Sequence, residues 1–213
     1  MSNPVESGAA AQTIRTVGQW QVPALGAGTW ALGGPWDFAG VPAGWGEVDD
    51  EVSIAAVRAA YEGGVRLFDT ADAYGCGHAE RILGKAIASF RDDVIIATKV
   101  GLIFDEVTRT GNGIDVSPAY IRQACEASLR RLGTDHIDLY QLHPGEVTAD
   151  QAPAVVEVFD QLAAEGEDPQ LRDGQRGHRC HRRLRRRRWM RGSAATTERL
   201  QRQRRSAGAL RGP

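Results

Sequence analysis

Between residues 51 and 165 the apolar positions alternate between helical spacing and short continuous runs, in the order helix, strand, helix, strand, helix, strand, helix. The first helix is predicted to open at Asp49-Asp50-Glu51, to carry Ile54, Val57 and Tyr61 on its apolar stripe, and to stop at Gly63-Gly64. A short strand follows over residues 65–69, and a second helix over 78–89 buries Ile82, Leu83 and Ile87. Val94-Ile95-Ile96-Ala97 reads as a β-branched strand covered on both faces. The third helix has the clearest boundaries. Ser117 suits its N-cap, Pro118 its first position and Gly133 its end, with Ile121, Ala124, Cys125, Ser128, Leu129 and Leu132 repeating at helical spacing. A strand over 137–142 and a helix over 152–165 complete the pattern.

Strands separated by helices long enough to cross back imply parallel strands, so the class is α/β; a doubly wound sheet and a closed barrel both remain open. The predicted strands end in Asp69, Lys99 and His143. In parallel α/β folds the carboxyl ends of the strands form the functional face, so a carboxylate, an amine and an imidazole are expected to meet there. Tyr74, five residues beyond Asp69, lies close enough to join them. A phenol is a weak acid in water, with a pKa of about 10, and a neighbouring ammonium stabilises its anion. Lys99 suits that task, Asp69 would hold the lysine charged and in place, and a neutral His143 could hydrogen-bond a carbonyl oxygen. The combination suits carbonyl reduction with Tyr74 as the proton donor.

The strings Gly28-Thr29-Trp30, Phe68-Asp69-Thr70-Ala71-Asp72-Ala73-Tyr74-Gly75, Ala97-Thr98-Lys99-Val100 and Asp138-Leu139-Tyr140-Gln141-Leu142-His143 resemble those of the aldo-keto reductases over roughly residues 12–166. The resemblance implies an eight-stranded (β/α) TIM barrel and a catalytic tetrad of Asp69, Tyr74, Lys99 and His143. It also implies NADPH held without a Rossmann fold, with cofactor contacts at Gly28, Thr29, Trp30 and Asp69, and a small-molecule aldehyde or ketone as substrate. The segment 13–22 looks like the hairpin that plugs the barrel bottom. Gly26-x-Gly28 is too sparse for a dinucleotide fingerprint and reads as room for close backbone approach.

Composition changes this picture at one place. The 213 residues carry 26 basic and 27 acidic side chains, but positions 1–165 sum to −12 and positions 166–213 to +11. Residues 1–166 are therefore expected to form the N-terminal half of a barrel, about four βα units, and residues 167–213 a disordered Arg-rich tail. Encoding Gly166 to Gln175 in GC-rich codons and dropping one base after the first codon gives Gly-Lys-Ile-Arg-Ser-Tyr-Gly-Thr-Ala, the text of a plausible fifth strand. A reading-frame slip after Gly166 is the expected origin of the tail. The rival reading is a non-catalytic half-barrel whose arginines, centred on Arg182 to Arg188, bind nucleic acid.

A barrel of this type takes roughly 250 residues, so the chain is expected to be truncated, to bind NADPH weakly or not at all, and to offer an open barrel edge for self-association. No apolar run reaches the ~18 residues of a spanning helix and no export signal opens the chain, so neither a membrane association nor a location outside the cytoplasm is expected. Three scattered cysteines, Cys76, Cys125 and Cys180, suggest reduced thiols. No metal site is expected; His178 and His181 around Cys180 are too few for zinc.

Overall fold

The computed structural model describes residues 13–143 and 147–167. In chain order its elements are β1 (Ile14–Val17), β2 (Trp20–Pro23), β3 (Ala27–Gly28), β4 (Asp37–Phe38), β5 (Val41–Pro42), α1 (Asp50–Glu62), β6 (Leu67–Asp69), α2 (His78–Ile87), β7 (Ile95–Val100), β8 (Leu102–Asp105), β9 (Thr110–Ile114), α3 (Pro118–Leu132), β10 (Leu139–Leu142) and α4 (Ala152–Glu167). The helix ends follow their residue types. The Asp49 carboxylate accepts from the Val52 amide at 2.9 Å and opens α1, while Ser117 Oγ accepts from the Tyr120 amide at 3.3 Å and opens α3. Gly133, at φ +63°, closes α3 in the left-handed conformation.

The central sheet is parallel, in the order β3-β6-β7-β10, each new strand adding beside the one before it in the chain. The helices pack in the same succession, α1 on α2, α2 on α3 and α3 on α4. A doubly wound sheet would reverse its strand order and put helices on both faces. Neither happens, so of the two architectures open to the pattern this is a barrel wall. One continuous core fills the space between wall and helices, with Phe68, Ile96 and Val100 meeting Ile82, Leu83, Ile121 and Leu129, all essentially inaccessible. Period-two alternation along β7 buries Ile96, Thr98 and Val100 and leaves Lys99 only partly covered. The antiparallel pair β1–β2 is the expected N-terminal hairpin.

A second sheet, β5-β4-β9-β8, was not legible in the pattern, because β4 and β5 are two residues long and Gly111 and Gly113 interrupt β9. It is built from the segments that leave the carboxyl ends of β3 and β7, joined where Asp37 and Phe38 pair with Thr110 and Gly111. Its aromatic side, with Trp36, Phe38 and Phe104, packs on Ala73 and Cys76, the neighbours of Tyr74. Cys76 is a free buried thiol, as expected, and Cys180 lies outside the described residues. The Arg-rich segment on which both the frame-slip and the nucleic-acid readings rest lies, from residue 168 onward, outside the described residues. Among those described, no helix is long and apolar enough to cross a membrane.

At the amino ends of the strands, Arg91 donates to Val94 O (3.0 Å), to His136 O (2.9 Å), to Thr134 Oγ1 (3.1 Å) and to Asp138 Oδ2 (2.8 Å). The same Asp138 oxygen accepts from the Ile96 amide at 2.9 Å. This clamp ties the entry of β7 to that of β10 and so helps set the register that places Gln141 opposite Lys99. Removing one partner strands a largely buried charge. Asp138→Ala is expected to destabilise the chain by about 3 kcal/mol, and Asp138→Asn, which keeps the acceptor for Ile96, by clearly less. Urea unfolding of the two variants checks the order.

Candidate active site

The parallel strands deliver their last residues to one face. Asp69 closes β6, Lys99 lies in the last turn of the pleat of β7, and His143 follows β10, its amide bonded to Val100 O at 2.8 Å. Lys99 Nζ lies 2.8 Å from each Asp69 carboxylate oxygen and also donates to Thr70 O at 2.8 Å and to the Tyr74 hydroxyl at 3.3 Å. An ammonium has three protons, and these three residues account for them. The Lys99 side chain is 16% exposed and that of Asp69 45%, so the ion pair sits at a mouth with the lysine on its inner side. The Tyr74 ring stands edge-on to the His143 ring, centroids 5.5 Å apart, and nearly parallel to Trp30 at 5.9 Å. All four residues singled out for the chemistry therefore meet.

His143 is the perturbed group among them. Burial, with the Lys99 charge adding to it and Asp69 opposing, pushes its pKa down to about 4, so the ring is neutral over the ordinary range. Its Nδ1 is buried without a hydrogen-bond partner among the described residues. The candidate cofactor residues divide. Thr29 is 1% exposed, and both its amide (2.9 Å) and its hydroxyl (3.2 Å) donate to Asp69 O, so in this structure it braces the aspartate. Trp30 is exposed, anchored by its indole N–H to Ala43 O at 3.0 Å, and a Cβ on Gly28 would meet nothing within 4 Å. The turn carrying Trp30 lies back to back with the Tyr74 loop: a Cβ on Gly75 would fall 1.9 Å from Gly33 O, so only glycine fits this contact.

Residues 24–167 match the model of the aldo/keto reductase family. The chain belongs to that family. It is 45% identical over 123 residues to aldo-keto reductase YhdN of Bacillus subtilis, covering 56% of this chain and 33% of that protein. It is 34% identical over 152 residues to the NADH-specific methylglyoxal reductase of Escherichia coli, covering 67% and 45%. Among solved structures it is similar to the holo form of aldo-keto reductase AKR11C1 from Bacillus halodurans, with a TM-score of 0.62 and 36% identity over 73% of this chain and 47% of the other. It also resembles a Klebsiella pneumoniae aldo-keto reductase in complex with NADPH, with a TM-score of 0.52, 33% identity and coverage of 70% and 44%. The chain thus spans less than half the length of these relatives.

Behind the mouth of this aldo/keto reductase lies a buried polar cluster that the sequence reading missed. Glu80 on α2 is fully buried; its Oε1 accepts from Thr98 Oγ1 and its Oε2 from Arg131 Nε, both at 2.6 Å. Arg131 on α3 reaches on to Ser128 Oγ at 3.1 Å and to Glu106, in the β8–β9 connection, at 2.8 Å. The signal was present: Glu80 occupies the same stripe as Leu83 and Ile87, three and four residues apart, where a charge needs a partner. Asp72, two residues before Tyr74, is also fully buried, and neither carboxyl oxygen has a side-chain hydrogen-bond partner among the described residues. Burial first and the neighbouring Glu80 carboxylate second hold its pKa well above the usual carboxylate range.

The sign of the Asp72 effect follows from linkage. Above the ordinary carboxylate range the unfolded chain releases a proton that the folded chain retains, so this group makes stability fall with rising pH. Asp72→Asn removes that loss. Its melting temperature relative to the parent is expected to rise as the pH is raised above the ordinary carboxylate pKa of about 4, followed by thermal unfolding. A difference independent of pH would show that Asp72 ionises normally.

Proposed function

We propose that the Asp69, Tyr74, Lys99 and His143 site reduces an aldehyde or ketone with NADPH, Tyr74 delivering the proton. The observation that carries this reading is the Lys99 ammonium, shared between the Asp69 carboxylate and the Tyr74 hydroxyl 3.3 Å away. When Tyr74 gives its proton to a carbonyl oxygen, the phenolate left behind faces that ammonium, and the charge developed in the step is met in place. Asp69 and Thr70 O hold the ammonium against drifting into solvent. A neutral His143 can donate a ring hydrogen bond to the same carbonyl oxygen, and Trp30 walls the Tyr74 ring. A nicotinamide, when bound, supplies the hydride to the carbonyl carbon. The open space at Gly28, the half-exposed Asp69 carboxyl and the exposed Trp30 are what this chain offers to hold its reacting end.

Two finer readings go with this one. A small 2-oxoaldehyde is a suitable first substrate, because one relative is named a methylglyoxal reductase. The frame slip after Gly166 is supported by the family match, which ends at residue 167. NADPH oxidation with methylglyoxal tests the proposal, measured for the 213-residue chain and for a form with the single base removed and the downstream frame restored. The frame-restored protein is expected to turn over, and its Tyr74→Phe variant to lose roughly 100-fold or more in kcat. A Tyr74→Phe variant as active as its parent would refute Tyr74 as the donor, and equal turnover by both forms would refute the slip as the cause of impairment.

A further inference from the structure

A buried ion pair such as Glu80–Arg131 is weak evidence for a purely stabilising role, because apolar residues of similar volume in place of both partners are often as good. The position of the Glu80 carboxylate suggests another task. Thr98, which donates to Glu80 Oε1, immediately precedes Lys99 on β7; the strand's alternation sends the threonine hydroxyl into the helix layer and the lysine toward the mouth. Glu80 itself lies in the first turn of α2, and that turn rests on the backbone of the Tyr74 loop: the Ala79 amide donates to Tyr74 O at 3.2 Å and the His78 amide to Gly75 O at 3.3 Å. One carboxylate therefore joins the segment bearing the phenol to the strand bearing the ammonium. Arg131 fixes the other carboxylate oxygen and is itself held by Glu106 and Ser128, so Glu80 cannot turn away from Thr98 without giving up its charge-assisted bond to an anchored guanidinium.

We propose that Glu80 is a positioning residue, which through the Thr98 hydroxyl and with Arg131 as its anchor sets the separation of the Lys99 ammonium from the Tyr74 hydroxyl. The inference rests on the pairing of those two groups described above, but its test needs neither cofactor nor turnover. The chain has two lysines, Lys85 and Lys99. With ε-13C-lysine the full 213-residue chain gives two side-chain signals, and exposed Lys85 on α2 serves as the internal reference.

In the parent, the Lys99 ε-methylene is expected to show a nuclear Overhauser contact with the Tyr74 ring, whose centroid is 5.0 Å from Nζ. Thr98→Val, which deletes the hydroxyl at nearly constant volume, and Glu80→Gln are expected to lose that contact and to move the Lys99 signal toward that of Lys85. Thr98→Ser is expected to keep it. Asp138→Asn, which weakens the clamp at the opposite end of the wall, controls for loss of stability alone and is expected to leave the contact intact. Should Glu80→Gln fail to fold, Thr98→Val decides the matter. An unmoved Lys99 signal in Thr98→Val, or the same loss in Asp138→Asn, would overturn the proposal. A parent without the contact would overturn the Lys99–Tyr74 pairing and this inference together. A parent that shows it, but no Tyr74-dependent reduction in the frame-restored form, would refute only the proposed activity.

Discussion

A single ammonium organises the functional face. Lys99 reaches the mouth from a strand interior, where a lone charge would be costly, and it is tolerated because its three protons go to Asp69, Thr70 O and the Tyr74 hydroxyl. These acceptors come from the end of β6 and the loop that follows it, so the arrangement exists only if β6 and β7 lie parallel and in register, with Asp69 beside Ala97. The fold supplies that condition. His143 arrives by the same logic one strand further on, its amide held by Val100 O.

Two polar networks guard the geometry from opposite ends. The Arg91–Asp138 clamp acts where β7 and β10 begin, and a register error there would carry His143 and Lys99 apart at the far end. The Glu80–Thr98–Arg131 cluster acts from the helix side, behind the mouth. The small second sheet adds a third support, its aromatic side pressing on the neighbours of Tyr74 while Glu106 on its β8–β9 connection reaches Arg131. Backing on three sides suits the proposed proton transfer, in which displacement of the Tyr74 hydroxyl by an ångström would matter greatly.

Much of this was legible from residue order. Asp49, Ser117 and Gly133 announced their helix ends through side-chain chemistry that acts over three or four residues, and each performs the expected contact. Asp69, Lys99 and His143 could be placed together because strand ends in a parallel fold share a face, and Tyr74 because it follows Asp69 by five residues. What escaped had no local signature. β4 and β5 are too short for any periodicity; they pair with each other, and β9, some seventy residues later in the chain, adds beside β4. Glu80 was hidden by its helix, whose apolar neighbours satisfied the spacing so well that the charge among them was passed over. The family resemblance put Thr29 among the cofactor contacts but carried no sign that its amide and hydroxyl both donate to Asp69 O.

Membership of the aldo/keto reductases, over residues 24–167, gives the site its chemical context, while the chain spans less than half the length of its relatives. The local claim is independent of that difference: the Lys99 ammonium is locked among its three acceptors. Pulse labelling of the 213-residue chain with an amine-acylating reagent, followed by peptide mapping of Lys85 and Lys99, tests it most directly. The account predicts that Lys85 is modified far faster than Lys99, and that Asp69→Asn narrows the gap. Equal labelling of the two lysines in the parent would contradict it.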